Sequence, residues 1–215
     1  MRLHLGCGQR YLEGYVNIDY PMTEHSVQQK SVADQFADLK ELRYKVDSIE
    51  EVRLHHVFEH FSRATACAFL AGWNSWLKQS GGLRIEVPDF EKTGKVALSR
   101  WSNPKEKYVA LRHIFGSQEA HWAVHFQGYT PSSLSTFLKC YGFKTEAVNK
   151  NSHLGTYNIE IIAVKEKSIN KEDFIRITAE YLSNYLVDKS ESEKIMLDIW
   201  LKEYALQVNK TFASE

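Results

Sequence analysis

Leu3-His4-Leu5-Gly6-Cys7-Gly8-Gln9-Arg10, running on to Tyr15-Val16-Asn17-Ile18-Asp19, carries the strongest fold signal in the chain. Apolar residues alternate up to a Gly-x-Gly turn, and a second β-rich run follows and ends on a carboxylate. In open α/β sheets, ligands bind beyond the carboxyl ends of the strands. Glycine there lets backbone approach a ligand with no Cβ in the way. An acid closing the second strand accepts hydrogen bonds from a ribose diol, so the pair points to a nucleoside-type site. Only 11 positions separate Gly8 from Asp19, too few for a full helix and a strand. The dinucleotide fingerprint asks for a third glycine, a helix opening on the pyrophosphate and an acid about 20 residues on. Tyr11 stands where that glycine would be. A dinucleotide is therefore disfavoured, whereas a ribose ligand without phosphate has no need of the helix dipole.

The 215 residues suffice for one sizeable domain, or one domain with an appendage. Lys+Arg and Asp+Glu are both 27, so no net field attracts nucleic acid, which is not an expected partner. Aromatic content of 13% with only four prolines fits a packed globule. Cys7, Cys67 and Cys140 are odd in number and far apart, which suits a reducing compartment and rules out a cysteine-based structural zinc site. Leu3 to Leu5 is too short for a signal-peptide core, and no apolar run approaches the roughly 18 residues of a spanning helix. The expectation is a soluble, cytoplasmic protein with no membrane association.

Residues 2–5 read as the first strand and 21–30 as a polar loop. Residues 31–39 hold a short third strand ending at Asp38, which is equally readable as a helix cap. Residues 50–57 form a fourth strand that runs into His56-Val57-Phe58-Glu59-His60. His-x-x-Glu-His is an inverted zincin pattern, but it needs a helix to bring both histidines to one ion. Here the first histidine closes a strand, and no metal is expected. Residues 62–79 have helical periodicity, with Ser62 as cap and Ser80-Gly81-Gly82 as stop. Trp73 and Trp76 fall on its core side. Residues 83–87 alternate as a strand that reaches Asp89, either a helix cap or a site residue. Residues 92–115 are helical with a break at Ser102 to Pro104, and residues 116–130, rich in His and aromatics, read as a functional lid. Pro131 opens a helix that stops at Gly142. Two strands, 143–148 and 158–164, follow, and the long polar loop of nine residues between them argues against a tight hairpin. Two charged amphipathic helices, 171–187 and 192–208, close the chain as an extension, folded back or used for association.

Alternating strands and helices make an α/β sheet with short crossovers. Leu5-Gly6-Cys7-Gly8, Gly14 to Asp19, Asp38-Leu39, His56 to His60, Gly81 to Asp89 and Tyr141-Gly142-Phe143 occur in that order. As a set, covering about residues 2–165, they resemble the short class I S-adenosylmethionine-dependent methyltransferases. The resemblance implies a three-layer sandwich around a mostly parallel seven-stranded sheet with its last strand antiparallel. It divides the chain into a cofactor-binding domain, 1–166, and a helical extension, 167–215, which it does not cover. It implies that Leu5, Gly6, Cys7 and Gly8 line the methionine end of S-adenosylmethionine, that Asp19 takes the ribose, and that Asp38 and Leu39 bracket the adenine. His56 and Glu59 would lie near the sulfonium. Two departures stand out: the helix between the first two strands is shortened, and the usual N-terminal covering helix is absent. The expected reaction is methyl transfer to a hydroxyl of a small-molecule or glycan acceptor, with His125 as leading base and His121 and Asp89 behind it. Two alternatives remain: a non-catalytic binding or assembly protein on the same fold, pairing as a homodimer or with a partner through the C-terminal helices, and a zinc hydrolase built on His56, Glu59 and His60.

Overall fold

The computed structural model describes residues 1–21, 23 and 30–212, so most of the expected 21–30 loop lies outside the described residues. Strands β1 (Arg2–Leu5), β2 (Val16–Asp19), β3 (Gln35–Phe36) and β4 (Ile49–His55) lead to helix α1 (Arg63–Trp76) and strand β5 (Leu77–Pro88). Helices α2 (Phe90–Leu98), α3 (Pro104–Phe115) and α4 (Pro131–Cys140) come next. Strands β6 (Phe143–His153) and β7 (Thr156–Lys165), then helices α5 (Lys171–Ser183) and α6 (Glu191–Thr211), complete the chain. Among the described residues, seven strands form one sheet in the order β3-β2-β1-β4-β5-β7-β6. Only β7 runs against its neighbours.

Strand register explains the two faces. Ile18, Leu5, Leu54, Ile85 and Ile161 lie side by side across five strands, and all five are buried. Period-2 alternation sends their neighbours His4, Arg53, His55, Glu86 and Glu160 to the opposite face. The apolar face is buried together with Phe69 and Trp73 of α1, Phe137 of α4, Phe174 of α5 and Tyr204 of α6. On the polar face, α2 and α3 pair with each other and reach the start of β7, where the His113 ring meets Asn158. Helices thus flank the sheet unevenly.

The C-terminal helices fold back onto this core. Thr178 of α5 shares a hydrogen bond with the buried Tyr141 hydroxyl (2.7 Å), and the Asn74 amide of α1 donates to the Lys167 carbonyl (2.9 Å). Outward, α6 leaves Ile195, Met196 and Ile199 exposed. Among the described residues, no helix is long and apolar enough to cross a membrane.

Three local expectations are corrected. α1 stops at Trp76 instead of Gln79, because Leu77 already pairs with Ile49 and the chain enters β5 there. The third strand is only two residues long, and Asp38 caps a 3-10 turn over Leu39–Glu41 by accepting from the Lys40 amide. β6 and β7 do form a tight hairpin, since the polar segment pairs through to His153 and Thr156 around a two-residue turn. Leu154 (φ 48°) and Gly155 (φ 86°) both take the positive φ that such turns require. Leucine in place of Asn or Asp hides that signal.

Gly72 marks the close crossing of α1 and α6: a Cβ there would lie 2.1 Å from Thr211 Cγ2, on a stiff β-branched side chain. Gly94 in α2 has nothing within 4 Å. Gly94→Ala is therefore expected to stabilise the fold by about 0.5–1 kcal/mol through helix propensity. Gly72→Ala is expected to destabilise it by about 1–3 kcal/mol through overpacking. Urea denaturation of the two variants checks the opposite signs, and stabilisation by both would show that α6 is not seated on α1.

Candidate active site

A cavity of about 860 Å³ opens at the carboxyl ends of β1, β2 and β4, within the roughly 300–1,000 Å³ of small-molecule sites. Its floor is the Gly6-Cys7-Gly8 turn. Gly6 (φ 66°) and Gly8 (φ 56°) occupy left-handed backbone. A Cβ on Gly6 would meet Val57 Cγ2 at 2.3 Å, so only glycine fits between the turn and the end of β4. No helix intervenes before β2, and side chains hold the loop in its place. Asn17 accepts from the Leu12 amide (2.9 Å) and donates to the carbonyls of Leu12 and Tyr15. The Cys7 amide donates to the Ile18 carbonyl (3.0 Å). Burial, then the charge of Asp19, pushes the Cys7 thiol up to about 12, so it stays neutral at ordinary pH.

Below the loop, a hydrogen-bond relay crosses the polar face, and its donors and acceptors fit in one order. Arg53 Nε can only donate, so His55 Nε2 accepts (3.1 Å). His55 Nδ1 then donates to His4 Nε2 (2.9 Å), and His4 Nδ1 donates to the Asn17 oxygen (3.0 Å). Arg53 Nη2 in turn pairs with Glu160 (3.1 Å). Both imidazoles are neutral in this arrangement. Burial, reinforced by Arg10 and Arg53, drives His55 down to about 3, and burial also lowers His4. The relay fixes Asn17, and Asn17 fixes the loop.

The pentad forms the opposite wall. His56 sits at φ 53°, an uncommon setting for a non-glycine residue, which swings its ring out of line with β4. Burial works against a charge on this ring, but Glu59 (3.3 Å) and Glu86 (3.5 Å) outweigh it and raise His56 to about 9. Burial would raise Glu59 as well, yet the His56 contact holds its carboxyl below the usual range. Phe58–His60 is a single 3-10 turn, so His56 and His60 do not share a helix face as the zincin pattern requires. The lid is fastened to this turn. The amides of Phe126 (2.8 Å) and Gln127 (3.2 Å) donate to the Glu59 carbonyl, and His60 Nδ1 donates to the Val124 carbonyl (3.2 Å).

Gly6, Cys7, Gly8, Asp19, Asp38, Leu39 and His56 all line this one cavity. The Leu5 side chain is in the core, which leaves only its backbone for the cavity, and Glu59 is buried behind His56. The three candidate bases separate. His121 lines the cavity. His125 lies a layer deeper, its Nδ1 on the His113 carbonyl (3.1 Å) and its ring edge-on to His60. Asp89 caps α2 by accepting from the Lys92 amide, and it lines a separate cleft with Lys92, Lys150 and Asn158. Sequence reasoning named His60 only as a ligand of the zinc-hydrolase alternative, and it missed His55 and Glu86, and also Trp122 and Phe126 in the lid. For His55 and Glu86, strand alternation was the usable signal. The lid residues lie in coil without periodicity.

No family model and no curated protein matches the chain. Among solved structures it resembles a chain of the Haloferax volcanii complex of the Trm112 methyltransferase activator, at 13% identity and TM-score 0.54, over 79% of this chain and 83% of that one. The Burkholderia thailandensis 1,6-didemethyltoxoflavin-N1-methyltransferase, with S-adenosylhomocysteine bound, is 13% identical at TM-score 0.50, over 77% of this chain and 71% of that one. An S-adenosylmethionine-dependent methyltransferase from Methanosarcina mazei is 14% identical at TM-score 0.50, over 76% of this chain and 91% of that one. The fold is that of the class I S-adenosylmethionine-dependent methyltransferases.

The relay has a consequence for pH. With His55 at about 3 in the folded chain and near 6.5 unfolded, the unfolded state binds the extra proton between those values. Stability from this group is fully present above pH 6.5 and falls as the pH drops toward 3. Between pH 7.5 and 4.5 the wild type is expected to lose on the order of 2 kcal/mol more than His55→Gln. Urea titrations of both proteins at the two pH values measure the difference, and equal losses would refute the neutral relay.

Proposed function

We propose that the chain is an S-adenosylmethionine-dependent methyltransferase acting on a hydroxyl of a small-molecule or carbohydrate acceptor. The observation that carries this reading is the meeting of the Gly6-Cys7-Gly8 turn, Asp19 and Asp38-Leu39 in one cavity that ends at His56 and the lid. The cradle suits the cofactor: a turn with glycine at both ends for the methionine end, a carboxylate for the ribose diol and an apolar side chain for the adenine. When bound, S-adenosylmethionine supplies an electrophilic methyl group.

The rest of the work falls to the chain. Asp19 accepts the two ribose hydroxyls, and Leu39 packs against the base. Phe61, Trp122 and Phe126 narrow the acceptor end and exclude water, which favours an aligned displacement. A hydroxyl acceptor must also lose its proton. Of the three candidate bases, His121 lines the cavity and is best placed to take it. The aromatic rings beside carboxylates and imidazoles support a flat or ring-shaped polyhydroxyl acceptor. Exposed Ile195, Met196 and Ile199 on α6 support pairing of two copies.

Calorimetry tests the reading. Wild-type protein is expected to bind S-adenosylhomocysteine at micromolar concentration. Asp19→Ala, which removes two charge-assisted hydrogen bonds, is expected to bind it at least about tenfold more weakly with its fold retained. Absence of binding by either S-adenosylmethionine or S-adenosylhomocysteine at millimolar concentration would overturn it.

A further inference from the structure

We propose that Glu59, His60 and His125 hold a divalent transition-metal ion at the acceptor end of the cavity. A ring nitrogen of each histidine and a carboxylate oxygen of Glu59 lie within 4.8 Å of one another. A contraction of up to about 1.4 Å brings them to the spacing of tetrahedral ligands about 2.0–2.2 Å from one ion.

Three observations set this cluster apart from an ordinary buried ion pair. Both imidazoles engage a backbone carbonyl through Nδ1: His60 the Val124 oxygen (3.2 Å), His125 the His113 oxygen (3.1 Å). That hydrogen bond fixes the tautomer with the Nε2 lone pair free, which is how metal-bound histidines are oriented. His125 Nε2 stands 4.0 Å from Glu59 Oε1, beyond hydrogen-bond reach yet aimed at the carboxylate. Glu59 is 1% exposed, and its second oxygen, Oε2, is buried with no hydrogen-bond partner. An orphaned carboxylate oxygen is costly, and a cation removes that cost. His56, held by Glu59 and Glu86, then acts as an outer partner that orients the Glu59 carboxylate.

Two imidazoles and one carboxylate form a borderline donor set. It suits zinc, manganese, iron or cobalt, whereas magnesium and calcium prefer oxygen ligands throughout. His60 also lines the cavity, so the coordination positions left open face the acceptor space. An acceptor oxygen there would be oriented, and its pKa lowered. The occupant of those positions rests on the methyltransferase reading, but binding of the metal does not.

The test is calorimetric titration of the chelator-washed full chain with Zn²⁺, repeated with Co²⁺ followed by visible absorption, with S-adenosylhomocysteine affinity measured on the same samples. One ion per chain is expected. His60→Ala and His125→Ala should each weaken Zn²⁺ binding by at least about 100-fold, beyond the roughly 10–100-fold that outer partners cost. His125→Ala, which lies outside the cavity lining, should keep its S-adenosylhomocysteine affinity within about threefold of wild type, and circular dichroism checks that both variants are folded. Less than one equivalent of Zn²⁺ or Co²⁺ on wild-type protein would overturn the proposal whatever the variants do, as would undiminished binding by His125→Ala. Stoichiometric Zn²⁺ binding without S-adenosylhomocysteine binding would keep the metal site and discard the methyltransferase reading.

Discussion

The contact between Gly6 and Val57 sets the geometry of the whole site. β1 and β4 are neighbours in register, so the turn leaving one and the pentad leaving the other emerge at the same edge. They can close together only if the first carries no Cβ, since one would lie 2.3 Å from a valine methyl. Gly6 meets that steric demand and also supplies the left-handed φ that turns the chain toward Cys7 and Gly8. The cavity floor and its histidine wall are thus consequences of one close approach. Overpacking it would push both apart.

Charge is organised on either side of that contact in opposite ways. Toward β2, burial and two arginines keep His4 and His55 neutral, and the relay they form pins Asn17 and the loop that replaces a helix. Toward the lid, two carboxylates keep His56 charged, and Glu59 anchors the lid through its backbone carbonyl. Residues that differ only in their neighbours therefore serve different ends. His55 is part of the scaffold, and His56 is part of the wall. The 116–130 segment depends on the same turn, so both sides of the cavity share one support.

Much of this was legible in the sequence. The Gly-x-Gly turn and the acid eleven positions on follow local rules, as do Ser62 capping α1, Pro131 opening α4 and the lid without periodicity. What escaped depended on pairing over long distances. The early end of α1 follows from Leu77 pairing with Ile49, and the hairpin follows from β6 continuing through polar residues that β7 holds in register. Asp38 and Asp89 were each readable as cap or site residue. Both cap, and only Asp38 also faces the cavity. His125 was singled out as a base, but the fold sets it a layer deeper, against His60 and Glu59. Spacing in the chain says nothing of that depth.

The most direct measurement is a crystal structure of the full chain grown with S-adenosylhomocysteine. The ribose hydroxyls are expected within hydrogen-bond distance of Asp19, the amino-acid end over Gly6 to Gly8, and the sulfur facing His56 and the lid. Density for the ligand in the other cleft, beside Asp89 and Lys150, or its ribose turned away from Asp19, would contradict it.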